Sequence, residues 1–515
     1  MTDTLHNLVR ALQQPELFSH PVTRFAVIET HISIILLTGL YAYKFKKPVN
    51  FGFLDFSTLA RRRYFCEEEL RLNRRLAAQL YLDVMPVSRG PRWGADGEVI
   101  EYAVRMREFE QAAQFDRLLD SGQLSHTYID TLALRIAKFH AMVAVAGPES
   151  VYGQPATVQI PVDENFRQAL ECMSDPHEHS RLIPLQDWTR TAFQTLQPVL
   201  QARKDEGFIR ECHGDLHLCN VALVDAVPVA FDCIEFNDKL RWIDIISEVA
   251  FMVMDLDQRG QTGLASRFLN AWLEHSGDYA GVSLLRYYLV YRAMVRAKVD
   301  CLRAQQADVD AVARTAILRD YHAYIALGGR YTQALLPVLL LMHGLSGSGK
   351  SRVSQSLLES LPAIRIRSDV ERKRLHGLAG EARTGGGIDQ GIYDRASGEC
   401  TYRRLAELAA TLLDAGHSVI VDAAFLQSAQ LGPFIELAHT RAARCFIIDC
   451  QAPESELRRR ITARQHDASE AGIEVLENQL RHYQPLNTAV DGAEVLVTGS
   501  DASALVRLVA LLHEC

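Results

Sequence analysis

Residues 32–49 alternate apolar and polar positions in two clusters, "ISIILL" and "YAYKFKKPV", joined at Thr38-Gly39. That pattern predicts an antiparallel hairpin. Over residues 57–82, "STLARRRYFCEEELRLNRRLAAQLYL" changes to helical spacing, with Leu70, Leu72, Leu76 and Leu80 favouring one side. "DVMPVSRG" and "VIEYAVRMREF" predict further strands, completing a small antiparallel sheet. Helical spacing returns in "YIDTLALRIAKFHAMVAVAG" and in one long stretch over residues 283–327. Residues 1–330 are therefore expected to form an α+β domain of two lobes, one sheet-rich and one helical.

After "ALGGRYTQALLP" the rhythm changes. "VLLLMHG", "AIRIRSD", "SVIVDA" and "ARCFIIDC" read as strands alternating with helices. Such alternation predicts an α/β domain with a mostly parallel sheet over residues 331–515. The boundary is expected between Gly328 and Pro337. No internal repeat or low-complexity segment interrupts this division.

The run "FAVIETHISIILLTGLYAY" is broken by Glu29, Thr30 and His31, and its uninterrupted apolar part is too short to span a bilayer. It reads as sheet. "MTDTLHNLVRALQQPELF" has no apolar signal-peptide core. A cytoplasmic protein with no membrane partner is expected, its oligomeric state left open. The chain of 515 residues is long enough for two or three domains, and its 48% hydrophobic content supplies a core for each. A net charge of −8 argues against a broad nucleic-acid surface. Ten cysteines include no C-x-x-C pair. Cys212, Cys219 and Cys233 are expected as buried structural thiols, not disulfide partners or metal ligands.

"HGLSGSGKS" follows the first strand of the second domain. Gly344, Leu345, Ser346, Gly347, Ser348, Gly349, Lys350 and Ser351 satisfy G-x-x-x-x-G-K-[ST] at every position. Backbone amides of such a loop wrap phosphates and the next helix adds its dipole. Lys350 reaches the β/γ-phosphates and the Ser351 hydroxyl binds Mg²⁺. ATP with Mg²⁺ is the cofactor expected. In "SVIVDAAF", Asp422 is a metal-side carboxylate, but Ala423 follows where a motor ATPase carries a water-activating Glu. Transfer to an acceptor is favoured over hydrolysis. Asp369 in "RIRSDVERKR" is a candidate base, and also fits a helix N-cap. Arg458, Arg460 and Arg464 in "ELRRRITARQHDASEA" suit a lid over the transferred phosphate, or an ordinary solvated face. Residues 337–515 resemble the small-molecule and polynucleotide kinases of the P-loop superfamily, the group of gluconate kinase and zeta-toxin-like proteins.

The first domain carries "ECHGDLHLCNVALVDAVPVAFDCIEF". Asp215 and Asn220 have the D-x-x-x-x-N spacing of a protein-kinase catalytic loop, in which Asp accepts the acceptor's proton and Asn binds metal. Asp232, twelve residues after Asn220, falls where a second metal carboxylate belongs. His213-Gly214-Asp215 with His217 resembles aminoglycoside phosphotransferases and related kinase-like enzymes, over residues 25–325. The resemblance implies that Lys44 binds nucleotide and that Glu69 is its helix partner. Lys46 and Lys47 are rivals for Lys44, and Lys46 shares its face. Glu68 is the rival of Glu69. Glu248 in "SEVA" matches the family's Asp-Leu-Ala, and Asp244 is a candidate for positioning the catalytic loop. The chain departs from the family in having no glycine-rich loop before Lys44. Arg292, Arg296 and Lys298 share one helix and face either an anionic acceptor or solvent.

The arrangement as a whole resembles the bacterial bifunctional aminoglycoside phosphotransferase/ATP-binding proteins. It implies two phosphotransferase domains acting on small-molecule or other hydroxyl acceptors, a nucleic-acid end among them. An alternative makes the first domain a ligand-sensing or regulatory module.

Overall fold

The computed structural model describes residues 2–513 apart from 53, 174, 307–308, 335, 381, 383–390, 464–471, 484–485, 487–491 and 500–501. Its chain forms two compact units, Met1–Val162 with Thr195–Asp255, and Asp163–Gln194 with Leu256–Cys515.

The first unit is built on an antiparallel sheet of β1 (Ala26–Glu29), β2 (Ser33–Leu37), β3 (Tyr41–Lys46), β4 (Tyr81–Ser88), β5 (Arg92–Trp93) and β6 (Val99–Arg107). Their order is β1-β2-β3-β6-β4-β5. Alternation along β3 sends Tyr43 and Phe45 to one face, where they pack with Leu5, Val9 and Leu12 from the amino terminus. Lys44 and Lys46 point the other way, toward the Leu59–Ala77 helix. Thr58 caps that helix by accepting a hydrogen bond from Arg61 N. The helix is shorter than the 57–82 expected, because Tyr81 and Leu82 already belong to β4. β7 (Ile209–Glu211), the hairpin of β8 (Val221–Val224) and β9 (Val227–Ala230), and β10 (Trp242–Asp244) frame the stretch that holds Asp215 and Asn220. β7 pairs with β10.

The second unit carries a five-stranded parallel sheet of β11 (Val338–His343), β12 (Ala363–Arg367), β13 (Ser418–Asp422), β14 (Arg444–Cys450) and β15 (Glu494–Thr498). The order β12-β13-β11-β14-β15 makes β12 an edge strand. Leu340, Met342, Ile420 and Phe446 pack against Val353 and Leu357 of the P-loop helix, Lys350–Ser360. Strands covered on both faces read as nearly unbroken apolar runs, as β11 and β14 do.

The long helix expected over residues 283–327 is two, Leu285–Ala304 and Ala311–Thr332. Asp310 starts the second by accepting a hydrogen bond from Ala313 N at 2.8 Å. The cysteine expectation is also corrected: Cys172 and Cys301, 129 residues apart, form a disulfide. Missing C-x-x-C spacing carries no information about so distant a pair. Cys212 and Cys233 are buried, whereas Cys219 is half-buried. Among the described residues, no helix is long and apolar enough to cross a membrane.

Candidate functional site

The two β3 lysines share one buried carboxylate. Glu69 Oε1 lies 2.8 Å from Lys44 Nζ, and Oε2 lies 2.7 Å from Lys46 Nζ. Lys44 also reaches Asp232 Oδ1 at 2.5 Å, while Lys46 pairs with Glu235. Burial alone would raise the Glu69 carboxyl, but the two ammonium groups outweigh it and hold it near 2. The rivals thus separate by partner: Lys44 faces Asp232, Lys46 lies on Glu235, and Lys47 binds Glu29 and Thr30 O at the β1–β2 turn. Glu68, the other glutamate considered, pairs with Arg71.

The loop between β7 and β8 is held from beneath by Glu248. Its Oε1 accepts from the amides of His213 (2.5 Å) and Gly214 (3.0 Å), and its Oε2 lies 2.6 Å from His140 Nε2. Burial would raise this carboxyl too, yet the His140 bond leads the groups that bring it down to about 2. His213 Nε2 bonds Phe231 O at 2.8 Å and its Nδ1 accepts from Asp215 N at 3.3 Å. Asp255 accepts from Leu218 N at 2.9 Å. Asp244 instead binds Arg203 through both oxygens. Asn220 Nδ2 donates to Asp215 Oδ2 and to Asp215 O, both at 2.9 Å. His217 Nε2 lies 3.3 Å from Asp215 Oδ2.

Lys44, Asn220 and Asp232 line one cavity of about 260 Å³ whose other walls include Ile35, Met106 and Phe231. Asp232 takes a left-handed backbone, φ 64°, with its N–H donated to Tyr81 Oη at 3.2 Å. Local strain of that kind collects at functional positions. An apolar slot ending in an ammonium, a carboxylate and an amide suits a nucleotide with its divalent cation. The β1–β2 turn above it is a tight one, closed by Thr30 N to Ser33 O at 2.9 Å and Ser33 N to Thr30 Oγ1 at 3.0 Å.

In the second unit, β11 leads into the glycine loop and the P-loop helix starts at Lys350. Gly344 (φ 132°) lies so close to β14 that a Cβ would sit 2.5 Å from Cys450 O, and one on Gly347 (φ 82°) would sit 2.8 Å from Leu457 O. Only glycine fits both positions. Lys350 Nζ donates to Gly344 O (2.8 Å) and Leu345 O (2.9 Å). The Ser348 hydroxyl is buried without a hydrogen-bond partner. A buried orphan hydroxyl among loop amides fits a site made for phosphate oxygens.

Arg460, on the Glu454–Thr462 helix, lies against this loop, with Nη1 3.3 Å from both Gly347 O and Ser348 O. Arg458 pairs outward with Glu454 and Glu477. Arg464 lies outside the described residues. Asp422, at the end of β13, is 3.2 Å from Ser354 Oγ, and Ser354 Oγ donates to Ser351 O at 3.1 Å. Asp369 opens the Ser368–Leu375 helix and lies 3.6 Å from Arg372 Nη1. Arg292 is buried and Arg296 and Lys298 are half-buried, so the solvated basic face considered for that helix is not there.

Several site neighbours escaped the sequence. Glu235, three residues after Asp232, finds Lys46 across 189 residues. Gln479, on the Ile473–His482 helix, accepts from Ser346 N at 2.8 Å. Glu274 binds two arginines of β12. Only the tertiary fold brings these partners together, and no local spacing marks them.

Comparison with known proteins follows the same division. A family model described as Phosphotransferase enzyme family matches residues 56–285, and one described as AAA domain matches residues 339–486. An uncharacterized protein of Mycobacterium tuberculosis is 32% identical over 461 residues, covering 89% of this chain and 90% of its own. The chain belongs to the bifunctional aminoglycoside phosphotransferase/ATP-binding protein family. A member of this family is a kinase. Among solved structures, a choline/ethanolamine kinase family protein from Mesorhizobium loti is 10% identical with TM-score 0.41, covering 64% of this chain and 97% of its own. Chaetomium thermophilum Kti12 in complex with ADP-AlF3 is 15% identical with TM-score 0.27, covering 34% and 97%. Both are likenesses only. In this family member the phosphotransferase match runs to residue 285 and so takes in the Thr262–Ser276 helix, which belongs to the second compact unit.

Proposed function

We propose that the protein carries two ATP-dependent phosphotransferase sites, in residues 1–330 and 331–515, each moving the γ-phosphate of ATP to a hydroxyl acceptor. The observation that carries this reading is the convergence of Lys44, Asn220 and Asp232 on one cavity, with Asp215 held by the same Asn220. In the first site Asp215 takes the acceptor's hydroxyl proton, Lys44 neutralises phosphate oxygens, and Asn220 and Asp232 are the ligands for Mg²⁺. In the second, the loop amides and Lys350 grip the phosphates, Ser351 and Asp422 hold Mg²⁺, and Asp369 is the base. Arg460 and Arg464 serve the transferred group. Bound Mg²⁺ supplies charge neutralisation at the phosphoryl oxygens. Rate comes from positioning and from charge stabilisation that this framework preorganises. The acceptors are small molecules or other hydroxyl carriers, a nucleic-acid end included, and the cytoplasm is the compartment that suits an ATP-dependent enzyme.

A transfer screen with labelled ATP over sugars, aminoglycosides, nucleosides, RNA ends and proteins tests the reading. Asp215→Ala is expected to lower one product by ~10²–10⁴-fold and Lys350→Ala to lower another. A product unaffected by either substitution in the full chain would sink the two-site assignment.

A second reading is favoured by the tight β1–β2 turn, which offers no glycine amides to a triphosphate. On that reading the first domain senses a ligand and regulates the P-loop kinase. It predicts that Asp215→Ala removes no product at all, while Lys350→Ala removes every one.

A further inference from the structure

The edge of the P-loop sheet is covered by a helix from far upstream in the chain. An edge strand presents unpaired N–H and C=O groups. Asn270, on the Thr262–Ser276 helix, meets both kinds on β12: Nδ2 donates to Ala363 O at 3.0 Å, and Arg365 N donates to Oδ1 at 2.7 Å. The same helix lies on the C-terminal end of the P-loop helix, where Arg267 pairs with Glu359 at 2.5 Å. A Cβ on Gly263 would stand 3.0 Å from Glu359 O, so the two backbones approach closely.

One turn beyond Asn270, Glu274 takes hold of β12 from the side. Its Oε1 accepts from Arg367 Nη1 at 2.8 Å and its Oε2 from Arg365 Nη2 at 3.4 Å. Both arginines extend toward Asp422. Arg367 Nε is 3.8 Å from Asp422 Oδ2, and Arg365 Nη1 donates at 3.3 Å to Ser354 Oγ, which itself lies 3.2 Å from that oxygen. Two carboxylates therefore compete for two guanidinium groups where Asp422 is buried and the other three side chains are half-buried, so an unbalanced charge carries a cost. With Glu274 present, neither arginine needs to close on Asp422. Without it, Asp422 remains as a carboxylate within ion-pair reach of Arg367, at 3.8 Å, and a carboxylate neutralised by arginine is a poor ligand for a cation.

We propose that Glu274 is a positioning residue of the P-loop site: by holding Arg365 and Arg367 it keeps Asp422 available to a divalent cation. This rests on the P-loop kinase reading above. Glu274 falls within residues 56–285, the stretch matched as a phosphotransferase, yet its helix belongs to the second compact unit, so the P-loop site draws a support from outside the stretch matched as AAA domain.

The test uses the full chain and a fluorescent ADP titrated at increasing Mg²⁺. The part of the signal that Lys350→Ala removes belongs to the P-loop, and if that substitution removes nothing, the kinase reading itself falls. In the Lys350-dependent part, Glu274→Gln is expected to raise the Mg²⁺ concentration for half-maximal binding by ~10–100-fold, the usual effect of losing a group that orients a ligand. Glu274→Asp should fall between the two. Arg367→Gln added to Glu274→Gln removes the arginine nearer to Asp422 and should bring the midpoint part of the way back toward wild type. Asn270→Ala should lower the unfolding temperature while leaving the Mg²⁺ midpoint in place. The proposal is overturned if Glu274→Gln shifts the midpoint less than twofold, or if the double variant is no better than the single one. It is equally overturned if Asn270→Ala shifts the midpoint as far as Glu274→Gln, since loosening the edge would then explain both.

Discussion

The two candidate sites hold their shape by opposite means. In the first unit, side chains lock one another: Lys44 and Lys46 face Glu69, Asp232 and Glu235, two ammonium groups against three carboxylates. In the second, the backbone makes the site, through left-handed glycines, a lysine turned onto loop carbonyls and a buried serine hydroxyl with no partner. A side-chain network fails when a charge is removed. A backbone cradle fails when an atom is added. The contrast can be broken by substitutions of each kind.

The largest effect is expected at Glu69, which is fully buried. Removing it leaves two buried ammonium groups without their shared carboxylate, and breaking a buried pair in this way costs about 3–5 kcal/mol. Glu69→Ala should therefore lower the free energy of unfolding by that amount in urea titrations followed by circular dichroism. A loss under about 1 kcal/mol would mean that Asp232 and Glu235 suffice for both lysines, and the picture of a locked network would be wrong.

Gly344→Ala is the corresponding test of the backbone cradle. The added Cβ would stand 2.5 Å from Cys450 O at a φ of 132°, so loop or strand must move. Strain of about 1–3 kcal/mol is expected in unfolding experiments. The sharper consequence is on ligand binding: the Lys350-dependent nucleotide signal should fall well below detection while the cavity around Lys44 is untouched. Equal loss at both sites would show that the two are not independently built.

How much of this was readable beforehand follows the same contrast. The glycine loop is a local device, so its residue types, order and strand-loop-helix setting all lie within "LLLMHGLSGSGKS". Alternation along β3 likewise puts Lys44 and Lys46 on one face, but nothing local separates them. Their difference is made by Asp232 and Glu235, about 190 residues on. The edge pairing of Asn270 with Ala363 and Arg365 spans 93 and 95 residues and has no local sign. Strand and helix ends moved by a few residues where capping decided them, as at Thr58 and Asp310. The disulfide between Cys172 and Cys301 was missed for a related reason, since spacing rules for cysteine describe close pairs and this one closes over 129 residues.

The smallest effects concern protonation, and the second unit contains two groups of opposite sign. His417 has a buried Nε2 with no hydrogen-bond partner. Burial depresses its pKa to about 4, so the folded chain resists a proton that the unfolded chain accepts near 6.5. Its contribution is intact above pH 6.5 and is lost as pH falls toward 4, by ~1–3 kcal/mol in all. Asp257 behaves in reverse. Burial lifts it to about 6 despite a 2.6 Å bond from Tyr331 Oη, so its stabilising effect is complete below pH 3.8 and is lost as pH rises through 6. In wild type the two slopes oppose each other between pH 4 and 6, and each should emerge when the other is removed. His417→Asn should gain stability relative to wild type as pH falls from 6.5 to 4, and Asp257→Asn should gain it as pH rises from 4 to 6. Two first-unit carboxylates titrate elsewhere: Glu69 and Glu248, both held near 2, should lose their contribution only as pH falls from about 4.5 toward 2. Unfolding midpoints at half-unit pH intervals would separate these four groups by the range in which each acts. Parallel pH curves for His417→Asn and wild type would show that this imidazole gains a partner or water on folding and is not held neutral by burial.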